Sequence, residues 1–288
     1  MKLLILLSSF FLLGFVGYCP AQKGLVPVGE IISDLRDREI FNGIINEFSE
    51  KKDLPTGELL VGIGKSLEGT PYVAATLEKS DDEKLVVNLR EMDCTTFVEN
   101  CLALALTIKS GNPDYDRFLQ ELQHIRYRNG VRNQYPSRLH YFSEWLADNA
   151  AKNKISLPAK EFGVLYPNRV DFMSKHPEKY PCLKEHPKFV AEMGEWEKAI
   201  SEKEYYFVPK DKIVEVERFL KEGDIIGITT SIAGLDIVHA ALLTRVNGRI
   251  HIFHASSSEK KVLVSSDPLA DYLVKSKIQT GIMVGRSL

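Results

Sequence analysis

Apolar positions recur at helical spacing through the first half of the chain and at strand spacing through its last third. Residues 31–48 carry an apolar stripe, with Ser33 and Asp34 as capping residues at its start. Residues 58–67 predict a second helix, ended by Gly69-Thr70-Pro71-Tyr72. Val98, Cys101, Leu102, Ala105 and Ile108 predict a buried helix over 94–109, closed by Ser110-Gly111-Asn112-Pro113. Two more amphipathic helices follow at 114–126 and 137–149, separated by Tyr127-Arg128-Asn129-Gly130. From 152 to about 209 the pattern breaks into proline-marked turns with one helix, 188–201. Strands are then predicted at 224–229, 237–246, 249–255, 261–265 and 279–284, with a short helix at 268–275. Helices first and an antiparallel sheet second give an α+β fold class.

Asn247-Gly248 is a two-residue hairpin signal, so Val246 should pair with Arg249. Ala241 then faces His254 and Thr244 faces His251. Alternation along the strands puts His239 and His254 on one face, a diagonal step apart, with His251 on the other. A bulge in the hairpin would shift this register and select His251 instead.

The other candidate group is Cys94, in Glu91-Met92-Asp93-Cys94-Thr95-Thr96-Phe97-Val98-Glu99. It opens the predicted buried helix, where unpaired N–H groups and the helix dipole favour the thiolate and lower a cysteine pKa. The motif alone leaves two readings open: a nucleophile, or a small apolar residue filling a helix–sheet contact. A nucleophilic thiol needs a histidine within reach and a third group to orient it, and His239 with His254 supply both. Asp93, on its spacing, reads as the cap of the helix.

Composition narrows the setting. Among the 288 residues, 44% are hydrophobic and 26% charged, with a formal net charge of -2, which offers nucleic acid no basic face. Residues 1–21 read as a signal peptide: Lys2, an apolar run from Leu3 to Val16, then Cys19-Pro20-Ala21. The run is short for a membrane span, no second one follows, and export to the periplasm is expected. Lipid attachment at Cys19 is the alternative, and bulky Tyr18 beside it argues against that. The remainder, 22–288, reads as one domain with a segment inserted at about 111–209.

Without the leader three cysteines remain, Cys94, Cys101 and Cys182, so at least one thiol is free or paired outside the chain. Cys94 and Cys101 are about 10 Å apart on a helix, beyond disulfide reach. No Cys-x-x-Cys or His-Glu-x-x-His spacing indicates a metal, no cofactor motif is present, and oligomeric state is not legible.

Asp93-Cys94-Thr95, Val238-His239-Ala240 and Phe253-His254-Ala255-Ser256 resemble the signature of the papain-like cell-wall peptidase superfamily of NlpC type. Thr95 stands where that superfamily usually has Ser. Gly69-Thr70-Pro71-Tyr72 is similar to its Gly-x-Pro-Tyr element. The extended cysteine motif, Tyr127-Arg128, Ser137-Arg138-Leu139-His140-Tyr141 with Trp145, and His254-Ala255-Ser256 resemble one branch, the N-acetylmuramoyl-L-alanine amidase-like family. The resemblance spans about 31–286. It implies a papain-like core, with the helix of the nucleophile packed on an antiparallel sheet or partial barrel. It also implies cleavage of the amide between N-acetylmuramic acid and L-alanine, on peptidoglycan fragments of the small anhydro-muropeptide kind.

The roles it implies are Cys94 as nucleophile, His239 as base, His254 as orienting group and Tyr72 beside the thiol. It adds Asp93, Thr95, Arg128, Arg138 and His140 as substrate-binding residues. The alternatives are an endopeptidase cutting between D-glutamate and the diamino acid, and a non-catalytic cell-wall-binding module.

Overall fold

The computed structural model describes residues 30–80, 82–167 and 169–288; the leader read at 1–21, with Cys19, lies outside them. Helices α1 (Leu35–Phe48), α2 (Thr56–Ser66), α3 (Cys94–Lys109), α4 (Tyr115–Arg126), α5 (Phe142–Ala151) and α6 (Pro187–Ser201) precede most of the sheet. The expected helix at 31–48 begins at Leu35 instead, because Asp34 and Asp37 form a reciprocal capping box that fixes its start. Ile31 and Ile32 pair in parallel with Leu85 and Val86. The expected helix at 137–149 is displaced to Phe142. The backbone of Arg138 is extended and pairs with Tyr127, and Leu139 N–H bonds to the Arg126 carbonyl at 3.0 Å. Asp236, far along the chain, caps α5 by accepting the Ser143 N–H at 2.8 Å.

The sheet comprises β1 (Val164–Leu165), β2 (Tyr206–Pro209), β3 (Ile225–Thr230), β4 (Ile237–Val246), β5 (Arg249–Ser256), β6 (Lys261–Pro268) and β7 (Gln279–Ser287). Its order is β1-β2-β7-β3-β4-β5-β6, with every pairing antiparallel. Ile155–Ser156 adds to the end of β7. The pieces at 155–156, 164–165 and 206–209 are too short for alternation to announce them.

Alternate strand residues enter two cores. Ala240, Leu242, Phe253 and Ala255 pack with α2, α3 and α4, where α4 contributes Phe118, Leu122 and Ile125. Ala241, Leu243, Ile250 and Ile252 pack on the other face, beneath Leu269 and Leu273 of α7 (Leu269–Val274). A third cluster, including Tyr141, Met173, Leu183, Phe189 and Met193, holds the 170–200 stretch together. Each such side chain contributes about 1.5–3 kcal/mol on leaving water. A buried ion pair, Arg126 Nε to Glu99 at 2.7 Å, joins α4 to α3. Among the described residues no helix is long and apolar enough to cross a membrane.

The hairpin has the expected register. Val246 pairs with Arg249 and Thr244 with His251, and Asn247 and Gly248 both have positive φ, 50° and 81°. A bulge does occur, but outside the hairpin: Ile228 pairs with His239 and Thr229 with Ile237, leaving Val238 as the extra residue on β4.

Candidate active site

Cys94 is the first residue of α3, and Asp93 before it is extended, at φ -93° and ψ -177°. The Asp93 carboxylate accepts the Thr96 N–H at 2.8 Å, while the Thr96 hydroxyl accepts the Asp93 N–H at 2.9 Å. Asp93 is therefore the cap that its spacing predicts, and its carboxylate is held beside the thiol by that task. The half-buried sulfur is approached by the backbone N–H groups of Ala240 and Thr95 and by the Thr95 hydroxyl. Burial and the Asp93 charge outweigh these donors and push the thiol up to about 11. A helix start alone would lower the thiol, the expected direction; burial and the negative charge of the cap itself reverse it.

Ala240, whose N–H reaches the sulfur, directly follows His239 on β4. His239 Nε2 lies 2.6 Å from His254 Nδ1, and the two rings are perpendicular with centroids 4.8 Å apart. With Nε2 engaged, Nδ1 is the ring nitrogen left to serve the sulfur. One of the two bonded nitrogens must carry the proton, and a neutral His254 accepting at Nδ1 fixes His239 as the Nε2–H tautomer. Burial depresses both imidazoles, His239 to about 3, aided by its neighbour's charge, and His254 to about 4. Thiol and imidazoles are thus neutral at rest. His251 sits on the opposite face, its Nδ1 2.8 Å from the Ser265 carbonyl, tying β5 to β6.

Tyr72 reaches the thiol because its segment is stitched between the sheet edge and the α3 cap. Tyr72 N–H bonds to the Lys260 carbonyl at 2.9 Å, and Val73 N–H to the Met92 carbonyl at 3.1 Å. Its phenol is raised by burial, then by the charges of Cys94 and Asp93. A second phenol, Tyr272 of α7, is raised by burial and also feels Cys94.

The other expected substrate residues are tied into the protein. Arg128 Nε and Nη2 grip both Glu144 oxygens at 2.7 and 2.8 Å, Nη1 bonds to the Pro136 carbonyl at 2.7 Å, and the guanidinium lies 3.6 Å over the Trp196 ring. Arg138 donates to Glu78 at 2.8 Å and lies 3.5 Å from Glu83, with its Nε making no hydrogen bond. His140 bonds through Nε2 to the Tyr135 carbonyl at 2.9 Å, and burial with the Arg138 charge holds it neutral. Trp145 is fully buried, stacked on Phe142. The structure therefore gathers Cys94, His239, His254, Tyr72, Asp93 and Thr95 at one place. It engages Arg128, Arg138 and His140 in contacts of their own. Among the described residues no group of three His, Cys, Asp or Glu side chains can hold a metal ion.

Residues 62–282 match the family described as AmiA-like, N-acetylmuramoyl-L-alanine amidase-like. The chain belongs to this family. An N-acetylmuramoyl-L-alanine amidase from Bacteroides uniformis ATCC 8492 is 37% identical, with TM-score 0.78, over 81% of this chain and 98% of that one. A Bacteroides fragilis protein named a "putative xylanase" is 41% identical, with TM-score 0.74, over 77% of this chain and 98% of that one. LPG0564 from Legionella pneumophila str. Philadelphia 1 shares the fold at 18% identity, with TM-score 0.68, over 88% of this chain and 95% of that one. No curated protein sequence matches the chain.

Two groups at the site of this amidase-like chain have no sequence signal. Tyr272 lies in what reads as a connecting helix, and its approach to His254, with centroids 5.9 Å apart, is tertiary. The Ala240 N–H is visible only once β4 is placed against the start of α3.

Proposed function

We propose that this protein is a cysteine-dependent amidase of peptidoglycan fragments, cutting between N-acetylmuramic acid and L-alanine. The observation that carries the reading is the 2.6 Å His239–His254 contact beside a helix-start cysteine. Family membership supplies the substrate class.

The Cys94 sulfur attacks the amide carbonyl as its proton passes to His239 Nδ1. The carbon–nitrogen bond breaks, the proton goes to the departing amine, and a muramoyl thioester remains. Water then attacks the thioester, giving its proton through His239 back to sulfur. Because thiol and imidazole are neutral at rest, proton transfer accompanies attack rather than preceding it. The Cys94 N–H at the helix start and the Tyr72 hydroxyl are donors suited to the oxyanion. Asp93 and Thr95 line the same place. Arg138, whose Nε lies 3.5 Å from Glu83 without a hydrogen bond, is the basic residue assigned to a substrate carboxylate, which would compete with Glu83 for it; Arg128 and His140 shape the wall behind it.

The same reading takes 22–288 as one papain-like domain with 111–209 set into it, exported to the periplasm by the leader. A glycosidase would need two carboxyl groups flanking the bond. The carboxylate beside the thiol is Asp93, already committed to the helix cap.

Mass spectrometry of products from a defined anhydro-muropeptide tests the reading. Free stem peptide with intact anhydro-sugar is expected, and Cys94→Ala should abolish it. Release of L-Ala-D-Glu-bearing sugar would replace it with the endopeptidase alternative. Binding without turnover by wild type would replace it with a cell-wall-binding module.

A further inference from the structure

We propose that Tyr272 is the positioning residue of the imidazole pair, holding His254 at the angle from which it fixes His239. The three rings form a relay of perpendicular contacts. His254 stands at 90° to His239, and Tyr272 at 84° to His254 with centroids 5.9 Å apart. One hydrogen bond at Nδ1 leaves an imidazole free to swing about that contact. A second contact against the ring removes this freedom, and orientation of the base is what such a group contributes to catalysis.

Tyr272 is itself held. It lies on α7, which buries Leu269 and Leu273 in the second core, and it packs against that core, as does Val238, the bulge residue next to His239. Its phenol is hydrogen-bonded to the side chain of Gln279, the first residue of β7. The Gln279 Oε1 is buried and makes no hydrogen bond. A buried acceptor left unpaired is a cost that packing alone does not explain; here it accompanies a carboxamide committed to bracing the phenol. The inference rests on Cys94, His239 and His254 being the reacting groups.

The test uses the full chain with nitrogen-15 in its histidines, as wild type, Tyr272→Phe, Tyr272→Leu and Tyr272→Ala. Two quantities are read: the downfield imidazole N–H proton of the short His239–His254 bond, and kcat and KM on an anhydro-muropeptide. Wild type and Tyr272→Phe should keep the resonance. Tyr272→Ala should lose it and drop roughly ten- to a hundredfold in kcat with KM little changed; Tyr272→Leu, which preserves bulk in the core, covers misfolding of the alanine variant. Restoration by phenylalanine distinguishes ring contact from a hydroxyl acting on substrate. The proposal is overturned if the folded leucine or alanine variant keeps the resonance, if wild type lacks it, if phenylalanine is as damaging as alanine, or if only KM moves. Should wild type show the expected spectra but cleave no muropeptide, the substrate reading falls and the positioning role stands.

Discussion

His239 Nε2 and His254 Nδ1 are 2.6 Å apart, so His239, the proposed base, is oriented by a second imidazole. That partner has no charge at neutral pH, because burial lowers its pKa to about 4. It holds a tautomer without adding a negative field. His254→Ala should therefore lower kcat by about 10²–10⁴, the share that a positioned acid–base group contributes. His254→Asn, whose carboxamide oxygen can accept the same N–H, should recover part of it. Steady-state kinetics with circular dichroism as a folding control check this; equal loss in both variants would deny the tautomer argument.

The Asp93 charge opposes ionisation of the thiol it adjoins. Iodoacetamide should consequently modify folded Cys94 slowly at pH 7, with a rate still rising toward pH 11. Asp93→Asn keeps an oxygen for the Thr96 N–H but removes the charge. Its alkylation profile should shift to lower pH, while Asp93→Ala should also lose about 0.5–2 kcal/mol of stability with the cap. Alkylation followed by mass spectrometry from pH 6 to 11 gives both outcomes. Rapid labelling of wild type at pH 6 would contradict the neutral-thiol ground state.

These properties separate what local sequence carries from what it does not. The start of α3 is legible because Asp93, Thr96 and the apolar spacing from Val98 to Ile108 all lie within one continuous helix and its cap. The hairpin is legible because Asn247 and Gly248 supply the two positive φ values its turn demands. The resulting register sets His239 diagonally beside His254, fifteen residues apart along the chain. The pKa of Cys94 is not legible, since it depends on how deeply β4 and the cap enclose the sulfur. Nor is the start of α5, whose cap comes from Asp236, 93 residues beyond the Ser143 whose N–H it accepts.

Arg128 illustrates the same limit and gives a third prediction. The family resemblance makes it a substrate-binding residue, yet the group it grips is the Glu144 carboxylate of α5, both oxygens at once. Removing the guanidinium leaves Glu144, 4% exposed, without its counter-ion. Breaking such a buried pair costs about 3–5 kcal/mol. Arg128→Ala should thus fall in Tm and urea midpoint while the folded fraction keeps its KM. A tenfold rise in KM at unchanged stability would instead make Arg128 a substrate-binding group.

Stability itself should depend on pH through the imidazole pair. In the unfolded chain a histidine titrates near 6.5, whereas folded His239 and His254 are held at about 3 and about 4. Below pH 6.5 the unfolded state binds more protons than the folded state, so unfolding becomes easier as pH falls. The loss should set in as pH falls through 6.5 and accumulate down to about pH 3, and be absent well above 6.5, where both states hold the pair neutral. Urea denaturation across pH 4 to 8 measures it, with the double variant His239→Gln and His254→Gln as comparison. That variant cannot take up these two protons, so its stability should fall less steeply over the same interval; an equal slope would assign the acid sensitivity to other groups.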